Sequence, residues 1–270
     1  MLNLLSINYI IDMEVVLMFK NDSNYLDQHF LIDDKVINRF IEVCNLNKED
    51  IVVEIGPGKG TLTRLIQSKV KSLTVIEKDV RLKEYLDEIP NIKIIYGSAL
   101  DVEIPKCKKI ITSLPYSIIE PFIKKLINTD FEELYMIMGS NYVNNVINKE
   151  ITNLSLLTNT YFDAKKLFNI EPSSFNPEPR VLSSVIKLTK KKEFTDLDKV
   201  FKNVYELDDK KIKNALMESL INIKGLTKKE SKELINELSI NEEILNKKFS
   251  LISNEELKEL YEKISLFVNE

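Results

Sequence analysis

Between residues 51 and 139, short β-branched runs alternate with stretches of helical periodicity, and this leaves few folds open. IVVEIG (51–56), SLTVIE (72–77), NIKIIYG (91–97), KKIITSL (108–114) and ELYMIMG (133–139) are each a short apolar run. A strand that is apolar on successive positions needs cover on both faces, as in a parallel sheet flanked by helices. TLTRLIQSKV (61–70), DVRLKEYLDEI (79–89) and PFIKKLIN (121–128) supply the intervening helices. Upstream, DDKVINRFIEVCNL sets Val36, Ile37, Phe40, Ile41 and Val43 at helical spacing behind Asp33 or Asp34 as N-cap. The expected class is α/β with a mostly parallel sheet. After YFDAKKLFNI (161–170), VLSSVIKL (181–188) alternates Val181, Ser183, Val185 and Lys187 with Leu182, Ser184, Ile186 and Leu188. We expect it to be a half-buried antiparallel strand near the sheet edge.

At KKKEF (190–194) the composition shifts to Lys, Glu, Leu and Asn, with Gly225 as the sole glycine beyond it and no proline. DDKKIKNALMESLINI, TKKESKELINELS and SNEELKELYEKISLFV are helical, with Thr227 and Ser253 as cap signals. The expected organisation is an extension at 1–22, an α/β domain at 23–192 and a small all-helical domain at 195–270. The start, MLNLLSINYIIDMEVVLMF, lacks the basic flank and cleavage site of a signal peptide. It is expected to be a short strand or helix, or sequence upstream of a start at Met13 or Met18.

Net charge is −4, so a non-specific coat on nucleic acid is disfavoured. Residues 1–192 balance 25 basic against 25 acidic side chains, and 193–270 carry 13 against 17. Arginines stand only at 39, 64, 81 and 180, leaving lysine to do most anion binding. Cys44 and Cys107 form no framework and are expected to be small buried hydrophobes in a reducing compartment. His29 is the sole histidine, which argues against a His-rich metal site. No apolar run reaches the ~18 residues of a membrane span, and a cytoplasmic location is expected.

Chemistry concentrates at strand ends. EIGPGKGTLT (54–63) leaves a strand and enters a helix, and Gly56, Gly58 and Gly60 permit a tight turn and close ligand approach. Its GxGxG spacing matches neither the dinucleotide fingerprint nor a P-loop. Taken alone, the turn is as readily structural. Glu77 ends the next strand, where a carboxylate can accept both hydroxyls of a ribose. Its alternative is a solvated strand-end acid, and Asp79 fits a helix N-cap. Ser98, in Gly97-Ser98-Ala99-Leu100, and Ser113-Leu114-Pro115-Tyr116 also stand at carboxyl ends of strands, beside the ligand crevice of such folds. In FNPEPRV (175–181) two prolines hold an extended loop that presents Phe175 and Arg180. For Tyr116 and Phe175 stacking is the favoured role, and its alternative is a pair of core aromatics.

DQHFLID (27–33), EIGPGKGTLT (54–63), SLPYSI (113–118) and FNPEPRVLSSV (175–185), in this order, resemble the motifs of the rRNA adenine N6,N6-dimethyltransferases. That family includes relatives conferring erythromycin resistance. The resemblance spans about residues 23–190 plus the helical C-terminal part. It implies a class I S-adenosylmethionine-dependent methyltransferase, with a Rossmann-like, mostly parallel seven-stranded sheet and a small helical domain. It further implies that the backbone around His29 and Leu31 closes over the cofactor. Gly56 and Gly58 would pass beside the cofactor's methionine part, Glu77 would hold its ribose and Ser98 would face its adenine. Tyr116 and Phe175 would sandwich a flipped target adenine, with Ser113, Leu114 and Pro115 forming the catalytic turn and Ser113 also contacting the cofactor. Arg180, Lys210, Lys211 and Lys213 would be RNA contacts.

The chain departs from that family at four places. Its asparagine in NLPY is Ser113, which can accept one amine N–H but not with a fixed amide. Losing one positioned hydrogen bond of this kind costs about 10²–10³-fold in rate. Its acid in the GDAL-like turn is Ser98, with an expected loss of about 1–2 kcal/mol in cofactor affinity. Gly139-Ser140-Asn141 replaces a Gln-Lys-Glu stretch, and VYELDDKKIKNAL (204–216) mixes Lys210, Lys211 and Lys213 with Glu206, Asp208 and Asp209. Three readings follow. The first is a monomeric methyltransferase acting on adenine N6 in small-subunit rRNA or an assembling subunit, with reduced or altered activity and no metal. The second is a catalytically weak paralogue serving as an RNA-binding or ribosome-assembly factor. The third is a methyltransferase moved to another substrate.

Overall fold

The computed structural model describes residues 29–268; the expected extension, with Met13 and Met18, lies outside the described residues. Strand β1 (Phe30–Leu31) precedes helix α1 (Asp34–Val43), whose N-cap is Asp33, accepting from the Lys35 and Val36 amides. Next come β2 (Ile51–Ile55), α2 (Thr61–Gln67), β3 (Ser72–Glu77), α3 (Lys83–Asp87), β4 (Ile92–Tyr96) and β5 (Lys109–Ser113). They are followed by α4 (Ile119–Ile127), β6 (Glu133–Gly139), α5 (Ser140–Ile147), α6 (Asn153–Tyr161), β7 (Phe162–Ile170), β8 (Phe175–Asn176) and β9 (Ser183–Lys190). Five helices complete the chain: α7 (Asp196–Glu206), α8 (Ile212–Lys224), α9 (Lys228–Glu237), α10 (Glu242–Asn246) and α11 (Asn254–Val268).

The main sheet has seven strands in the order β4-β3-β2-β5-β6-β9-β7. Strands β4 to β6 are parallel, and β9 runs antiparallel to both β6 and β7. Successive side chains explain the apolar runs. Val53, Ile110 and Met136 enter the core beneath α4 and α6, whereas Val52, Ile111 and Tyr135 enter the core beneath α1 and α2.

Strand β9 is antiparallel and lies near the sheet edge, one strand in from it, as expected, but it is not half-buried. Ser183, Ser184, Val185 and Ile186 are all buried, because β7 pairs along its outer side and becomes the edge strand. The alternation in VLSSVIKL comes from serines that the sheet nevertheless covers on both faces.

Lys109 closes the bottom of the sheet. It is buried, pairs with Asp50 at 2.8 Å and donates to the carbonyls of Cys44 (3.1 Å) and Asn45 (2.5 Å). A buried ammonium persists only with such partners. Cys44 and Cys107 are free and buried, and burial pushes both thiols up to about 12, which keeps them unreactive.

Helices α7 to α11 enclose their own core around Phe201, Leu216, Leu257 and Leu260, which Leu156 of α6 joins to the rest. Thr227 caps α9 in a reciprocal box with Glu230, and Ser253 caps α11, accepting from the Glu256 amide at 3.2 Å. Thr195 makes a further capping box on α7. Thr227→Ala is expected to lower stability by about 1 kcal/mol. A urea titration checks this as a lower midpoint with unchanged slope. No helix among the described residues is long and apolar enough to cross a membrane.

Candidate active site

The carboxyl ends of β2, β3, β4 and β5 open into one cleft of about 320 Å³. It is lined by His29, Leu31, Gly56, Gly58, Glu77, Ser98, Ser113, Leu114, Pro115 and Phe175, residues drawn from six separate segments of the sequence. Tyr116 begins the 3₁₀ turn Tyr116–Ile118 that follows β5. Phe30, Lys59, Leu100 and Ile137 also line the cleft and were not anticipated. Of these, Lys59 had a legible signal, since it lies inside the glycine turn.

The glycine turn is held by its own backbone. Gly60 (φ 80) is the N-cap of α2, and a β-carbon there would lie 2.5 Å from Ile89 Cδ1. Gly58 (φ 57) donates its N–H to Glu77 Oε2 at 3.1 Å, and a β-carbon there would meet the Phe30 ring at 3.0 Å. Any side chain at either position therefore strains the turn and crowds its neighbours.

Glu77 is buried and accepts from the Asp79 amide at 2.7 Å through Oε1 as well as from Gly58 through Oε2. Burial raises its carboxyl pKa, and these two N–H bonds oppose the rise. A carboxylate offers about four lone-pair directions, so two remain for a ligand. Asp79 itself caps the following 3₁₀ turn, accepting from the Arg81 amide.

Glu54, one residue before the end of β2, is buried in the same region. Burial pushes its carboxyl up to about 8, opposed by the Thr63 hydroxyl and reinforced by the Glu77 carboxylate. A folded pKa above the ordinary 4.5 means that folding takes up a proton between those values. Glu54's contribution to stability is then full below the ordinary value, falls as pH rises and is lost above the folded one. Wild-type urea midpoints are expected to fall with pH through this window, while Glu54→Gln flattens that decline.

Ser98 caps its own turn, its Oγ accepting from the Leu100 amide at 3.1 Å. One lone pair and the hydroxyl proton are left for a ligand. The Leu114 side chain lies 3.3 Å from where a β-carbon on Gly56 would stand, so the SLPY turn packs directly on the glycine turn. Ser113 is the last residue of β5, in register with Ile137 of β6.

A two-stranded ribbon contributes Phe30, Leu31 and Phe175 to the cleft lining. Strand β1 pairs antiparallel with β8, setting Phe30 opposite Asn176 and Leu31 opposite Phe175. Phe175 is 3% exposed and packs in the core beneath α1. His29 Nδ1 lies 2.7 Å from the Pro177 carbonyl.

The four basic candidates lie outside this cleft. Arg180 is exposed beyond the FNPEPR loop. Lys210 pairs with Glu218 at 2.6 Å, Lys213 pairs with Glu242 at 3.3 Å, and Lys211 donates to Asn246 Oδ1 at 3.1 Å.

The strand order, the one antiparallel strand, the glycine turn after β2 and the acid closing β3 define the class I methyltransferase fold. A family model for ribosomal RNA adenine dimethylases matches residues 18–255, and the chain belongs to that family. Among sequence relatives, it is 32% identical over 177 residues to a Methanopyrus kandleri protein named "Probable ribosomal RNA small subunit methyltransferase A". That match covers 62% of this chain and 64% of the relative, less than two thirds of its length. Among solved structures, a dimethyladenosine transferase from Plasmodium falciparum superposes with a TM-score of 0.60 at 20% identity, covering 88% of this chain and 98% of that one. The 23S rRNA methyltransferase ErmE gives a TM-score of 0.57 at 20% identity, covering 87% and 99%. Both structural likenesses concern the fold.

Proposed function

We propose that this chain uses S-adenosylmethionine to methylate adenine N6 in small-subunit ribosomal RNA, on an assembling subunit in the cytoplasm. The observation that carries this is the shared cleft. The glycine turn, Glu77, the SLPY turn and Phe175 all line it.

The residues present fit the cofactor. Glu77 keeps two acceptor directions for the ribose hydroxyls, and the bare backbone at Gly58 leaves room that a β-carbon would fill. Gly56 and Gly58 would pass beside the methionine part, the backbone of His29 and Leu31 would cover it, and Ser98 would face the adenine. When bound, S-adenosylmethionine supplies an electrophilic methyl group on a sulfonium.

The chain's own contribution is positioning. Tyr116 and Phe175 would hold the extruded base, since a base inside a duplex is out of reach, and Phe175, packed in the core beneath α1, would first have to turn a face to the cleft. Ser113 Oγ and one backbone carbonyl of the same turn would accept the two N–H bonds of the exocyclic amine. Those bonds draw the amine out of conjugation with the ring and free its lone pair. Holding the amine in line accounts for most of the rate gain. Arg180, with Lys210, Lys211 and Lys213, would meet RNA phosphates, and each lysine would first have to exchange its present partner.

A second reading, an assembly factor with little turnover, is favoured by Ser113, Ser98 and the partnered lysines. Calorimetry separates the readings in part. Saturable 1:1 binding of S-adenosylmethionine below about 1 mM is expected for an enzyme. No heat at that concentration contradicts the methyltransferase reading.

A further inference from the structure

We propose that the His29 side chain is a positioning residue. It locks the loop that follows Phe175 to the segment that covers the cofactor, so that filling the cofactor side steadies the base side. What the two sides hold rests on the function proposed above; the lock itself rests on geometry alone.

The two segments are 148 positions apart and meet at the β1–β8 ribbon. On the α1 side the junction is well tied: the Ile32 amide donates to the Ser174 carbonyl at 2.9 Å, and Ser174 Oγ donates to Asp33 Oδ2 at 3.2 Å. On the other side the chain runs into Asn176-Pro177-Glu178-Pro179-Arg180, where both prolines lack an N–H. Residues 176–178, 180 and 181 are exposed. Among the described residues, the bond from His29 to the Pro177 carbonyl is the one hydrogen bond that reaches 177–181.

That carbonyl can only accept, so the proton of the bond sits on Nδ1. Next to His29, the Phe30 ring rests against Gly58, and Lys59 Nζ stands 5.4 Å over the same ring. A shift at the glycine turn therefore reaches the FNPEPR loop through two adjacent residues, Phe30 and His29.

The test uses three full-length variants. Asparagine places its amide nitrogen as many bonds from the backbone as His Nδ1, whereas glutamine places it one bond further. The exposed Arg180–Val181 bond is a tryptic site, and its cleavage rate reports local opening of the loop. Without cofactor, His29→Ala and His29→Gln are expected to be nicked there about 3–10-fold faster than wild type, with His29→Asn close to wild type. About 1 mM S-adenosylmethionine should slow nicking in wild type and His29→Asn but not in His29→Ala. In methyl transfer, His29→Ala should raise KM for small ribosomal subunits about 3–10-fold, and calorimetry should show its cofactor Kd weakened by at most the factor by which cofactor slows wild-type nicking, because the coupling is reciprocal.

Equal nicking of all four proteins without cofactor overturns the lock. Cofactor that binds wild type by calorimetry without slowing its nicking overturns the coupling. If wild type binds no cofactor, the proposed function fails, and the order of nicking rates still decides the lock.

Discussion

Glu77→Ala is expected to weaken S-adenosylmethionine binding by about 10²–10³-fold, read by calorimetry. The carboxylate sits at the end of β3 with both oxygens already accepting, from Gly58 and from Asp79. Those bonds fix its orientation, so its two remaining acceptor directions are set before a ligand arrives. Hydrogen bonds to a charged group are worth about 1.5–3 kcal/mol each, and removing both ribose hydrogen bonds at once gives the stated range after water refills part of the site. The substitution also frees the Gly58 amide and loosens the glycine turn, which weakens binding further. Glu77→Gln should fall between, because its amide nitrogen cannot accept from one of the two backbone donors. Unchanged affinity in Glu77→Ala would return Glu77 to the role of a strand-end acid with no ligand.

Ser113→Asn is expected to raise kcat for methyl transfer about 10²-fold while leaving cofactor Kd nearly unchanged. Ser113 lines the cleft at the end of β5, between the Leu114 that packs on Gly56 and the strand β6 that runs beside it. A serine hydroxyl accepts one amine N–H from a rotor that nothing fixes, whereas an amide carbonyl reaches further and is planar. The gain belongs in kcat because the hydrogen bond acts on the amine's lone pair as it localises. Steady-state kinetics on small ribosomal subunits decide it. If kcat is unmoved, the backbone carbonyls of the turn suffice, and the serine is an adequate replacement.

The parallel core and its glycine turn were legible because each strand is short, β-branched and apolar on both faces, as Val52–Val53 and Ile110–Ile111 are. Helices α5 and α6 carried a weaker signal. Helix α6 buries Ser155, Thr158 and Thr160 along with Leu156 and Leu157, so no polar face marks its period. The full burial of β9 depended on β7, whose mixed sequence shows no strand alternation strong enough to claim the edge. The cleft residues were legible because they stand at strand ends, which the sheet must bring together. Pairings between distant segments were not legible: nothing local to Lys210, Lys213 or His29 names Glu218, Glu242 or Pro177 as partners.

The most direct measurement incubates the full chain with methyl-labelled S-adenosylmethionine and undermethylated small ribosomal subunits, then resolves the digested nucleosides. Label on N6 of adenosine, absent when Phe175→Ala replaces wild type, is the predicted result. Cofactor binding by calorimetry with no label in any adenosine would contradict it.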